Sequence, residues 1–156
     1  MLIIDKNFAV YETPFGYMRM TYEGDKIIDL EIIKDVDDRG VSTQITDMTY
    51  NEIIEYFEGK RKEFDFPYEL RGTEFQNKVW KALCDIPYGE TKTYKDIAIA
   101  VGNTKASRAV GMACNRNPIM IAVPCHRVIG SNKKLVGYAG GIDMKRRLID
   151  MENENK

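Results

Sequence analysis

Thr93-Tyr94-Lys95-Asp96-Ile97-Ala98-Ile99-Ala100-Val101-Gly102-Asn103-Thr104-Lys105-Ala106-Ser107-Arg108-Ala109-Val110-Gly111-Met112-Ala113-Cys114 is the stretch that decides the fold. A short helix is expected from Thr93 to about Val101. Gly102-Asn103 breaks it, and Thr104 is placed to cap a further helix running to Cys114. Two short helices joined by a tight glycine-containing turn suggest a helix-turn-helix whose later helix is presented to DNA. A plain packing pair has the same spacing. Upstream, Thr73 can cap a helix with Phe75, Val79, Trp80 and Leu83 on one face, ending before the turn Pro87-Tyr88-Gly89. Downstream, after Asn117-Pro118, the run Ile119 to Val123 reads as a buried strand or extended segment, and Gly141 to Glu152 as a final helix.

The other end of the chain is different in kind. Phe8 to Thr13, Gly16 to Glu23 and Lys26 to Lys34 are β-rich runs parted by Pro14-Phe15-Gly16 and Gly24-Asp25, which predicts an antiparallel meander. Residues 46 to 58 follow with Met48, Ile53, Ile54 and Phe57 near helical spacing, and Gly59 as a stop. The segment Lys60 to Arg71 is irregular. The expected fold class is therefore α+β, with an N-terminal domain over residues 1–70 and a largely helical C-terminal domain over 71–156.

Charge divides at the same place. Residues 1–70 hold 8 Lys and Arg against 16 Asp and Glu, and residues 71–156 hold 15 against 8, which returns the net charge of -1. A basic half of this size suits a phosphate backbone, with the acidic half turned away; mutual attraction of the two halves accounts for it equally. A 44% hydrophobic content suffices for a core without disulfides. Three scattered cysteines, Cys84, Cys114 and Cys125, argue for a reducing, cytoplasmic setting, with Cys84 and Cys114 read as small core residues and Cys114, on the presented helix, placed where it could approach a pocket. One His and no paired Cys spacings leave no metal site in view, and no cofactor motif is present. Residues 1–6 lack the start of a signal peptide, and no stretch is apolar enough for a membrane span.

The single His, His126, directly follows Cys125, and both follow Pro124. Pro124 removes a backbone donor and biases Val123 to an extended form, so the apolar run ends here and delivers Cys125 to a turn. Such a cysteine is a nucleophile if a neighbouring base or charge favours the thiolate, and His126 and Arg127 are candidate sources. From the dipeptide alone, a buried thiol beside a surface histidine is the better reading. In a strand, adjacent side chains face apart, so the pair needs a turn or a bridging water.

Context favours the nucleophile. The chain resembles the O6-alkylguanine-DNA alkyltransferase family through Gly72-Thr73-Glu74-Phe75-Gln76, Val79-Trp80, Ile86-Pro87-Tyr88-Gly89-Glu90-Thr91 and Tyr94. The match continues through Arg108-Ala109-Val110-Gly111, Asn117-Pro118, Pro124-Cys125-His126-Arg127-Val128-Ile129-Gly130, Gly137-Tyr138-Ala139-Gly140-Gly141, Lys145, Leu148 and Glu152. The resemblance implies an RNase H-like N-terminal part and a winged-helix-like C-terminal part. It implies single-turnover repair of double-stranded DNA, in which Cys125 takes an alkyl group from O6 of guanine, or O4 of thymine, after the base is flipped out.

The resemblance also assigns roles. His126 would relay the Cys125 proton through water, with Glu152 holding the imidazole; Asn117 would tie down the turn around the cysteine; Tyr94 would donate to guanine N3. Arg108 would enter the base stack from a helix docked in the minor groove, where Ala106, Ser107, Ala109 and Gly111 permit close approach. Val128, Tyr138, Ala139, Gly140 and Gly141 would enclose the flipped base. The protein is expected to act as a monomer without cofactor, metal or membrane. Asn132-Lys133 departs from the Asn-Gly that many members carry; lysine tolerates a positive φ poorly, so either the turn differs locally or Asn132 takes that conformation. The zinc ligands of some members are missing. A lesion-binding relative without an acceptor cysteine and a Cys-His hydrolase are the competing classes, and Cys125 and the basic half respectively argue against them.

Overall fold

A computed structural model describes residues 7–156. The leader expectation, read from residues 1–6, lies outside them. The chain divides into two compact units, one ending at Glu69 and the other beginning at Leu70.

In the first unit, β1 (Phe8–Thr13), β2 (Gly16–Glu23) and β3 (Lys26–Ile33) form the expected antiparallel meander in the order β1-β2-β3. Alternation sets its faces: Met18 and Met20 of β2 are buried with Ala9, Leu30 and Ile27, and Arg19 between them points out and pairs with Glu31. Gly16 at φ 121° and Gly24 at φ 61° allow the two tight turns. The helix α1 (Gln44–Phe57) begins at Thr43, whose hydroxyl accepts from the Thr46 backbone while the Thr46 hydroxyl accepts from Thr43 N.

Its buried face is not the one the apolar residues suggest. Thr46, Thr49, Glu52, Ile53 and Tyr56 are buried, whereas Met48 is 40% exposed and Ile54 and Phe57 lie at the margin. Local hydrogen bonds make this polar face affordable: Thr49 donates to Ile45 O, and Thr46 meets the Tyr11 hydroxyl at 2.9 Å. Glu52 accepts from the backbone of Asp65 at 2.6 Å and Phe66 at 3.2 Å, with Arg61 at 3.6 Å. The irregular segment after α1 is thus pinned by one buried carboxylate, which places Phe66 in the core beside Phe64 and Tyr56.

The second unit is helical with a minimal sheet. Its elements are α2 (Glu74–Cys84), β4 (Lys92–Thr93), α3 (Tyr94–Ala100), α4 (Ser107–Asn115), β5 (Val128–Ile129), parallel to β4, and α5 (Ile142–Asn155). Thr73 caps α2 in a capping box with Gln76, and Thr93 caps α3 with Asp96. Val79, Trp80 and Leu83 of α2 are buried, and the Trp80 indole donates to Ala113 O at 2.8 Å, fastening α2 to α4. Three expectations need correcting. Thr104 caps nothing: Ala106 precedes α4 without a side-chain cap, and Asn103 instead accepts from Lys105 N and Ala106 N. Ile119 to Val123 is a closed turn rather than a strand, with Val123 N donating to Ile119 O and Ile121 at φ 75°. Cys84, at the end of α2, is exposed, not core. No helix among the described residues is long and apolar enough to cross a membrane.

Gly72 and Gly111 test which small residues the interior requires. A Cβ on Gly72 would stand 2.5 Å from the Trp80 ring, whereas one on Gly111 would be 3.9 Å from its nearest neighbour, Tyr94. Gly72→Ala is expected to lower unfolding stability by about 1–3 kcal/mol, and Gly111→Ala to leave it unchanged or raised, as measured by urea denaturation.

Candidate active site

Cys125, His126 and Arg127 form a single 3-10 turn, and all three are buried. Adjacent residues that would face apart in a strand are here turned inward together. Pro124 opens the turn by accepting from Arg127 N at 3.0 Å. The Asn117 side chain shapes the approach: its Oδ1 accepts from Ile119 N at 2.9 Å, and its Nδ2 donates to Val123 O at 2.7 Å and lies 3.2 Å from the Cys125 sulfur. One amide therefore closes the Ile119–Val123 turn and touches the thiol. The left-handed conformation of Ile121, costly for a β-branched residue, is held by this closure.

Behind the thiol stands Glu152 of α5. Its Oε2 lies 2.7 Å from His126 Nε2, and Arg127 donates Nε to Oε1 at 2.8 Å and Nη2 to Oε2 at 3.1 Å. Gly89 N adds a bond to Oε1 at 3.1 Å. Arg127 also donates Nη1 to Ile86 O at 2.7 Å and lies over the Tyr88 ring. A carboxylate on Nε2 makes that nitrogen the protonated one, so Nδ1 is the ring nitrogen able to accept. Burial lowers the His126 pKa against the opposing pull of Glu152, and burial raises that of Cys125 against the Asn117 bond and the Lys145 charge. Both directions keep the resting pair neutral, a thiol beside a neutral imidazole.

The front of the site is made by Tyr94, at the start of α3, and by the loop between Gly130 and Gly141. Tyr94 donates its hydroxyl to Val136 O at 2.9 Å, and burial, then Cys114 and Cys125, push its pKa up to about 12. Lys145 of α5 is fully buried and donates to Val136 O at 3.0 Å and Gly137 O at 3.2 Å. The Tyr138 ring stands edge-on to His126 with centroids 6.4 Å apart, and its hydroxyl is buried with no hydrogen-bond partner among the described residues. Val128 is buried beneath, Ala139 is exposed, and a Cβ on Gly140 would meet Met144 Sδ at 2.5 Å. In the loop turn the expectation for Asn132 needs correcting: the positive φ falls on Lys133, at 63°, while the Asn132 side chain accepts from Lys134 N at 3.2 Å.

On α4, Arg108 and Ala109 are exposed, Ser107 and Gly111 are half-buried, and Ala106, just before the helix, is buried. Cys125, His126, Glu152 and Asn117 are brought together; Tyr94 and Tyr138 lie within electrostatic reach of the sulfur. Two residues carry more than the sequence reading gave them. Arg127 appears there only as a source of charge, and Lys145 has no role. The signal for Lys145 was present: with Leu148 and Glu152 it falls at helical spacing on one face, so a lysine occupies a core position.

Comparison with known proteins gives one answer. Residues 74–154 match the family described as 6-O-methylguanine DNA methyltransferase, DNA binding domain, and residues 7–70 match 6-O-methylguanine DNA methyltransferase, ribonuclease-like domain. A methylated-DNA–protein-cysteine methyltransferase of Methanosarcina acetivorans is 46% identical over 93% of this chain and 97% of its own length. One from Methanosarcina barkeri is 59% identical over 64% of this chain, a stretch spanning 63% of that relative. Among solved structures, Mycobacterium tuberculosis OGT in complex with DNA is similar with a TM-score of 0.85 and 39% identity, covering 95% of this chain and 93% of that one.

The buried ion pair makes Glu152 sensitive even to an isosteric change. Glu152→Gln leaves the Arg127 guanidinium buried without its counter-charge and is expected to cost about 3–5 kcal/mol of stability, read from the shift in urea midpoint.

Proposed function

Because the chain belongs to the 6-O-methylguanine DNA methyltransferase family, we propose that it repairs DNA directly, moving an alkyl group from O6 of guanine to Cys125. The observation that carries this reading is the buried thiol touched by Asn117, with the His126–Glu152 pair behind it. A thiol whose pKa is raised does not ionise by itself at neutral pH, so its proton must be taken as the bond forms. His126, kept neutral by burial, accepts that proton at Nδ1 through a bridging water, and Glu152 stabilises the imidazolium that results. The sulfur then attacks the alkyl carbon; the S–C bond forms as the C–O6 bond breaks, and its electron pair leaves with the guanine.

Tyr94 offsets the charge developing on the leaving base by donating to guanine N3. With its pKa at about 12, the phenol is a hydrogen-bond donor rather than a ready acid. The product is a thioether, which water does not readily hydrolyse, so each molecule acts once. Methyl is the simplest group transferred, and O4-methylthymine is a second substrate of the same chemistry.

A base inside a duplex cannot bring O6 to a buried sulfur, so it must be flipped out at a cost of roughly a few kcal/mol. Arg108, exposed and without a hydrogen bond or ion pair among the described residues, fills the gap in the stack from a helix lying in the minor groove. Gly111 supports this reading: the interior leaves room for a Cβ there, so its smallness serves an approach from outside. Ser107 and Ala109 lie along the same approach, while buried Ala106 sets the start of the helix. Val128, Tyr138, Ala139 and Gly140 line the pocket, where the Tyr138 hydroxyl gains a partner when a base enters. The protein works as a monomer in the cytoplasm on double-stranded DNA, residues 1–70 and 71–156 being its two domains.

Incubation with a duplex carrying O6-methylguanine, followed by peptide mass mapping, tests this. A stoichiometric gain of one methylene on the Cys125 peptide, absent in Cys125→Ala, is expected. Tight binding without modification would instead make the protein a lesion binder, and demethylation by Cys125→Ala would rule out Cys125 as acceptor.

A further inference from the structure

Tyr94 cannot serve the base while it serves the loop. In the resting site its one hydroxyl proton is given to Val136 O, yet the proposed chemistry requires that proton at guanine N3. Val136 O, however, has a second donor. Lys145 reaches the same oxygen at 3.0 Å and Gly137 O at 3.2 Å, with its ammonium 5.8 Å from the centre of the Tyr94 ring. A carbonyl has two lone pairs and an ammonium three donors, so the arrangement is saturated at the oxygen.

We propose that Lys145 is a positioning residue that permits a hydrogen-bond hand-off: it keeps Val136 O and Gly137 O satisfied while Tyr94 transfers its hydroxyl from Val136 O to the flipped base. This rests on the alkyl-transfer reading above.

Three features make the hold necessary. The loop contains Lys133 and Gly137, at φ 63° and 58°, and ends at Gly141, at 95°, so its path uses the left-handed region repeatedly and needs an external anchor. Lys145 is fully buried, a costly place for an ammonium unless it is paired, and the loop carbonyls are its hydrogen-bonded partners. It also extends from the face of α5 that carries Glu152, so one rigid helix supports both the imidazole and the loop. Without Lys145, the departure of Tyr94 would leave Val136 O unpartnered and the loop unheld, and the hydroxyl would remain where it is.

Single-turnover rates on O6-methylguanine duplex are compared for wild type, Lys145→Met, Tyr94→Phe and the double variant, alongside amide exchange over residues 131–141. Lys145→Met is expected to slow transfer about ten-fold or more, the effect of leaving one such acceptor unmet. The double variant should be little slower than the slower single one, because a trapped hydroxyl has nothing further to lose. Tyr94→Phe should slow transfer with loop exchange unchanged, whereas Lys145→Met should speed exchange. Rate losses that multiply, or a loop loosened equally by Tyr94→Phe, would overturn the hand-off. So would a Lys145→Met variant whose Cys125 reacts with iodoacetamide more slowly by the same factor as with DNA, since Lys145 would then act on the sulfur. If Lys145→Met does not fold, the exchange pattern of Tyr94→Phe decides alone. A wild-type protein that transfers no methyl would instead overturn the alkyl-transfer reading itself.

Discussion

The carboxylate of Glu152 is the interaction on which the rest of the site depends. It gathers His126 Nε2, two donors of Arg127 and the backbone of Gly89 onto two oxygens. Those bonds join α5 to the Cys125–Arg127 turn and to the Pro87–Gly89 turn, and Arg127 extends the network to Ile86 O. A buried carboxylate is unfavourable alone, and here every charge has a partner with good geometry. The same arrangement fixes the imidazole tautomer, which decides what His126 can do for the thiol.

Charge neutrality explains how such a reactive residue is stored. Burial raises the thiol of Cys125 and lowers the imidazole of His126, so both rest neutral, and in the proposed reaction the proton crosses only as the substrate reacts. Asn117 contributes geometry rather than charge. By bonding Ile119, Val123 and the sulfur, it turns a run of apolar residues back on itself and fixes the approach to Cys125. Backbone strain at Ile121 and a buried Tyr138 hydroxyl without a hydrogen-bond partner among the described residues are the costs of this site; Ile121 lies in the turn that Asn117 closes, and Tyr138 within electrostatic reach of the thiol.

Much of the architecture was legible from pattern. Burial alternates in β2 at Met18 and Met20, glycines stand at the turns, and α2 and α3 announce themselves by threonine caps. Apart from the exposed Cys84, the errors have a common physical source, which is side chains bonding to backbone. Thr46 and Thr49 bury a polar face of α1 because their hydroxyls find local partners, so hydrophobicity pointed to Met48 instead. Asn103 closes the turn before α4 by accepting from Lys105 N, leaving the helix to start uncapped after Ala106, and Asn117 bends what composition alone reads as a strand. At the site, the lone histidine beside a cysteine drew notice, but the nucleophile reading came from the family resemblance and not from the pair itself. The core position of Lys145 was readable from its spacing with Leu148 and Glu152, but what it holds, the carbonyls of Val136 and Gly137, appears only in the fold.

The most direct test of this account is the state of His126, the only histidine in the chain, read by nitrogen NMR in the unreacted protein between pH 5 and 8. A folded pKa below the ordinary value means that neutral His126 contributes stability that is complete above about pH 6.5 and is lost as pH falls through the lower folded value. The account predicts a neutral ring, protonated at Nε2 and bare at Nδ1, that does not begin to titrate until below that point. A ring that titrates at or above the ordinary histidine value, or that carries its proton on Nδ1, would contradict it.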